Sequence, residues 1–67
     1  MAKKVKLNRI KEILARDDKK QTWLAEQIGK SRVVVTNYVN NNTQPSLDTL
    51  FQIAKALKVN PKDLINS

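Results

Sequence analysis

The sequence predicts an all-α fold, a compact bundle of five short helices in which the second and third form a helix-turn-helix. Three observations predict it. Apolar residues recur at helical spacing in successive windows, and no stretch alternates with the period of two of a half-buried strand. Serine, glycine, asparagine and proline stand at the edges of those windows, where helix caps and breaks belong. The chain has 67 residues, enough for one core, so the helices must share it.

The folded domain is expected over residues 7–65, between a basic tail, 1–6, and a short C-terminal tail, 66–67. Leu7, Ile10, Ile13 and Leu14 share one face of a first helix running to Arg16. Asp17 to Lys20 is a polar break, and Asp18 and Gln21 have the spacing of a capping box, which would let the second helix start as early as Lys19. Leu24, Ala25 and Ile28 then form an apolar stripe that ends at Gly29, a residue suited to the left-handed backbone of a helix stop. Ser31 is placed to cap a third helix from Arg32 to Val39. So short a turn forces the two helices to cross steeply, and the small Ala25 allows the close approach.

Val33, Val34 and Val35 favour a strand locally, but a strand needs a partner and helical valine costs only a few tenths of a kcal/mol (about 0.5 each). In a helix, Val35 and Tyr38 face inward with Val39 nearby, while Arg32, Val33, Thr36 and Asn37 face outward. Asn40 to Gln44 is a polar loop, Pro45 leads to a Ser46 cap, and Leu47, Leu50, Phe51, Ile53, Ala54 and Leu57 give the fourth helix a broad apolar face. Asn60 followed by Pro61 opens a short fifth helix carrying Leu64 and Ile65.

Composition narrows the function. The chain holds no cysteine and no histidine, which removes disulfides, zinc-finger ligation and the usual acid–base and nucleophilic constellations. An enzyme is not expected, and neither is a metal or other cofactor. No run reaches membrane-spanning length, and residues 1–6 are not followed by the apolar stretch of a signal peptide, so a soluble cytoplasmic protein with no membrane partner is expected. Thirteen Lys and Arg against six Asp and Glu give a net charge of +7, which calls for a polyanionic partner. No acidic residue lies between Glu26 and Asp48, so the turn, third helix and following loop carry Lys30 and Arg32 among neutral residues. The tail with Lys3, Lys4 and Lys6 suits either a solubilising role or an arm that follows DNA.

Gln21-Thr22-Trp23-Leu24-Ala25, then Ile28-Gly29-Lys30-Ser31, then Pro45 to Leu50 with Ile53 to Leu57 and Val59, in register, resemble the Cro/repressor-type helix-turn-helix family of bacterial and phage regulators. This is also the xenobiotic-response-element (XRE) family, and the resemblance spans Leu7 to Ile65. It implies a lambda-repressor-like five-helix domain that binds double-stranded DNA sequence-specifically, commonly as a homodimer, to regulate transcription, here as a repressor. The family pattern implies that Arg32, Val33, Thr36 and Asn37 read bases. It implies phosphate contacts from Gln21 and from the loop, here Asn40, Asn42, Thr43 and Gln44, and Lys30 and Ser31 join them at the turn. Three positions depart from it: Lys20 replaces a Ser or Thr cap, and Asp18 and Asn41 replace glycines.

Groove chemistry fits that mapping. Arginine pairs with guanine O6 and N7, asparagine with adenine, and valine and threonine methyls pack on thymine. Leu64 and Ile65 are the candidate dimer surface. Trp23 is expected to pack half-buried, with a partner contact as the other reading. An antitoxin that neutralises a toxin and represses its own operon is the alternative function, since such proteins share the fold.

Overall fold

The computed structural model describes residues 7–65. It contains α1 (Ile10–Arg16), α2 (Gln21–Ile28), α3 (Arg32–Val39), α4 (Leu47–Leu57) and a 3-10 turn, Pro61–Leu64. No strand occurs among the described residues beyond one isolated antiparallel bridge, Asn8 with Ile65. None of the described helices is long and apolar enough to cross a membrane.

Every helix closes in the same way. A residue in the left-handed region follows it, at Asp18, Gly29, Asn41 and Lys58 (φ 55, 67, 59 and 57°). The next N–H then reaches back five residues: Lys19 to Leu14 O (2.8 Å), Lys30 to Ala25 O (3.1 Å), Asn42 to Asn37 O (2.9 Å) and Val59 to Ala54 O (3.0 Å). This is the Schellman closure, which satisfies carbonyls that the helix leaves unpaired and turns the chain sharply. Asp18 and Asn41, the two positions where the sequence lacks an expected glycine, therefore do the glycine's work.

Two expected boundaries change for reasons visible here. Asp18 does not box with Gln21, because it closes α1 and α2 starts at Gln21 behind an extended Lys20. Helix α1 starts at Ile10 rather than Leu7, because the preceding segment is extended: Leu7 N and Asn8 N both donate to Asn41 Oδ1 (2.9 and 3.0 Å), and Arg9 N donates to Leu64 O (2.8 Å). Leu7 thus leaves the core face and is exposed.

The fifth helix is likewise absent as an α-helix. Its four residues form a 3-10 turn in which Asn60 N donates to Asp63 Oδ2 (3.3 Å), and it stops because Ile65 is drawn extended into the bridge with Asn8. The bundle therefore has four α-helices, not five.

One core serves all elements. Ile10, Leu24, Val35, Ile53 and Leu64 have no exposed surface, one from each helix and one from the 3-10 turn. Tyr38 and Trp23 pack half-buried against it, as expected. The apolar face of α4 is narrower than its sequence suggests. Leu50, Ile53, Ala54 and Leu57 are buried with Thr49, while Leu47 and Phe51, four residues apart on one flank, remain 67% and 53% exposed.

Asn8 is the buried polar centre, and every polar atom of its side chain is used. Its Nδ2 donates to Tyr38 O and Gln44 Oε1, both at 2.8 Å, and its Oδ1 accepts from Ile10 N at 3.2 Å. Removing the Asn8 side chain leaves the buried Ile10 N–H without its acceptor. Asn8→Ala is expected to lower the unfolding free energy by about 1–3 kcal/mol in urea titrations, with the m-value unchanged.

Candidate nucleic-acid interface

The candidate interface is built on α3 and on what surrounds its outward face. Ser31 Oγ accepts from Val34 N at 3.2 Å, so the cap that starts this helix forms as expected. Its buried side is Val35 and Val39. Helical geometry then leaves Arg32 and Val33 outside, and Val33 is 71% exposed. Thr36 and Asn37 sit half-buried one turn further on.

Neighbouring side chains hold two of these four. Thr36 Oγ1 donates to Gln21 Oε1 at 2.9 Å, tying the start of α2 to the middle of α3. The bond occupies the threonine hydroxyl and the glutamine carbonyl, so the Gln21 amide NH2 and the Thr36 methyl are the groups left to meet a ligand. Asn42 Nδ2 donates to Asn37 Oδ1 at 3.2 Å, which leaves Asn37 its NH2 and one carbonyl lone pair.

The expected phosphate-facing residues divide into two groups. Lys30, Asn40, Asn42 and Thr43 are exposed around the turn and the loop after α3. Ser31 and Gln44 are also exposed, but both have internal duties: Ser31 caps α3, and Gln44 accepts from Asn8 and donates to Asn41 Oδ1 at 3.1 Å. Their side chains hold the scaffold in place. Leu64 and Ile65, the expected dimer pair, also separate. Leu64 has no exposed surface because it fills the core, and it cannot present itself to a second subunit, whereas Ile65 is half exposed.

Beside α3 lies a groove of about 460 Å³ that no single stretch of sequence announces. Lys11 comes from α1, Lys19 and Lys20 from the α1–α2 turn, and Arg32 and Thr36 from α3, with Gln21 at its edge. Four cations on one concave wall without a lining carboxylate make a basin for anions. Sequence reasoning missed the three lysines. Their signal was faint: Lys11 follows the buried Ile10, and Lys19 and Lys20 looked like an ordinary polar break.

The Arg16 guanidinium is held above its usual pKa by its hydrogen bond to Asp17 and then by that residue's charge. The Nε–Oδ1 distance is 3.0 Å.

Ile10 to Leu64 matches the pattern of the helix-turn-helix family. The chain belongs to that family. Its XRE type accords with the Gln21, Gly29 and Pro45 segments. Among solved structures, a candidate DNA-binding protein from Bacteroides fragilis is similar to this helix-turn-helix chain, with 48% identity, a TM-score of 0.87, and coverage of 90% of this chain and 97% of the other. A transcriptional regulator from Listeria innocua shares the fold, with 21% identity and a TM-score of 0.70. The match there covers 88% of this chain but 59% of the other. A search of curated proteins gives no match.

The interface rests on the start of α3. Ser31→Ala removes the acceptor for Val34 N and is expected to cost about 1 kcal/mol in thermal or urea unfolding. Ser31→Asp, which retains an acceptor, is expected to recover most of that loss.

Proposed function

We propose that this chain is a transcriptional regulator that binds double-stranded DNA sequence-specifically through α3, acting as a repressor. One observation carries the reading: the exposed face of the helix-turn-helix is bordered by Lys11, Lys19, Lys20 and Arg32, and no acidic residue occurs from Gln27 to Leu47. A helix entering the major groove brings its outward side chains to base edges and its flanks to the phosphates. The similarity to the Bacteroides fragilis protein supports the same reading.

In this scheme Arg32 reads guanine, Val33 and the Thr36 methyl meet thymine methyls, and Asn37 reads the base next along the groove. Gln21, steadied by Thr36, donates its amide to a phosphate. Lys30, Asn40, Asn42 and Thr43 hold the backbone on one side, and Lys11 and Lys20 hold it on the other. The folded domain of residues 7–65 does this work, and the basic tail, 1–6, adds charge. Such a regulator works in the cytoplasm.

A homodimer would place two α3 helices one DNA turn apart on a palindrome. Its apolar surface is drawn from Ile65, Leu47 and Phe51, which are exposed in the monomer, rather than from Leu64. The antitoxin alternative shares this fold and predicts a small protein partner that co-purifies with the chain.

Selection of duplexes from a randomised pool, followed by a salt titration on the winner, tests the function directly. A palindrome bound far more tightly than random sequence is expected, with affinity falling on a log–log plot in proportion to the phosphates engaged. Uniformly weak binding to all sequences would defeat the proposal. Arg32→Ala should lose about 1–3 kcal/mol at one base pair and relax discrimination there, whereas equal losses on every sequence would make Arg32 a phosphate contact. For the dimer, Phe51→Asp combined with Ile65→Asp is expected to yield folded monomers in analytical ultracentrifugation. An unchanged assembly state would rule out this surface.

A further inference from the structure

The flank of α2 that faces α4 carries a second surface, which shares only Lys19 with the groove beside α3. Helical spacing sends Trp23 and Gln27, four residues apart, to one flank of α2, while Gln21 and Thr22 line the groove beside α3. Two depressions of about 240 and 500 Å³ meet at Trp23, Ala56 and Lys58. Their floor is apolar, made by the Trp23 ring, Ala56 and Leu57. Their rim is cationic: Lys19 and Lys58 border the first, and Lys55 and Lys58 the second.

The charge at this rim is not balanced locally. Lys19 Nζ stands 5.0 Å from the centre of the Trp23 ring, a cation–π contact that leaves the ammonium open to solvent and to any anion that approaches. Asp17 is the carboxylate that borders the site, and Arg16 already engages both its oxygens, at 3.0 and 3.4 Å.

We propose that this face docks an acidic protein segment carrying an aromatic or branched apolar side chain. The apolar side chain would lie in a depression against the Trp23 ring, and flanking carboxylates would meet Lys19, Lys55 and Lys58. A large, partly buried aromatic on an apolar floor inside a charged rim is the arrangement of a protein-binding hot spot, where the ring supplies contact area and the rim selects the partner. Duplex phosphates fit it less well, because they form a regular anionic array with no apolar group to fill a depression. The site faces α4 and not α3, so a partner could be held while α3 occupies DNA. The proposal does not depend on that DNA reading.

The test is selection from a random-peptide display library on the full chain, with counter-selection on a K55E/K58E variant whose helical circular dichroism is unchanged. Trp23 is the only tryptophan in the sequence, so its emission reports on this site alone. Enriched peptides are expected to combine Asp or Glu with an aromatic or branched apolar residue. They should shift Trp23 emission saturably and bind K55E/K58E at least about tenfold more weakly, as reversed charge requires. Lys19→Glu, on a different element, should weaken them as well. Failure to enrich any peptide over the variant, or equal binding to wild type and K55E/K58E, overturns the proposal. So does a shift of Trp23 emission by random-sequence duplex that K55E/K58E abolishes, since this face would then bind phosphate.

Discussion

The constraint on which this structure depends is that four helices of seven to eleven residues must fold onto one core. A helix this short is not stable alone in water, because the cost of its first turn is not recovered over so few hydrogen bonds. Burial must supply the difference, and burial requires the chain to reverse sharply after every helix. The left-handed residues at Asp18, Gly29, Asn41 and Lys58 provide those reversals. Three of the four are not glycine, so the chain accepts local backbone strain of about 1 kcal/mol or more at each so that packing can proceed. The packing supports that strain: Leu24, Val35 and Ile53 meet from three different helices with no exposed surface.

The same closures place the interface. The stop at Gly29 and the cap at Ser31 set the angle at which α3 leaves α2, and Thr36 to Gln21 then pins the two helices together on their outer side. At the far end of α3, beside the stop at Asn41, the Asn41 side-chain Oδ1 accepts from Leu7 N and Asn8 N, while Asn8 Nδ2 donates to Tyr38 O and Gln44 Oε1. The loop that follows α3 is thereby held by the segment that precedes α1. Side chains at this end of the α3 surface are positioned by contacts more than thirty residues away in sequence. Preorganisation of this kind means that little ordering remains to oppose binding.

Surface properties follow from which flanks the core leaves uncovered. The α3 side gathers cations around an exposed valine and polar side chains, suited to a groove with methyl groups and phosphates. The α2–α4 side sets cations around a tryptophan and an apolar floor, suited to a protein segment. Ile65, Leu47 and Phe51 are large apolar residues that the core leaves exposed. Because the core residues alternate with these flanks around each helix, one small domain presents both cationic sides while sharing only Lys19 between them.

Much of this was legible in local patterns. The all-α class, the spans of α2 and α3, the caps at Ser31 and Ser46, the stop at Gly29 and the outward set Arg32, Val33, Thr36 and Asn37 depend on propensity and helical period, which act within a few residues. The stop at Lys58 was hidden, because nothing in a lysine announces a left-handed angle, whereas Asp18 stands where the family pattern has a glycine. Leu7 and the proposed fifth helix were misplaced because their backbone groups are claimed across the fold, by Asn41 and by the bridge between Asn8 and Ile65. Leu64 and Ile65 look equivalent in sequence, yet one fills the core and the other faces out. By itself the sequence determined which segments become helices and which of their faces are polar. Tertiary structure decided which apolar residues are covered and which lysines share a groove, since both depend on the neighbours that distant segments bring into place.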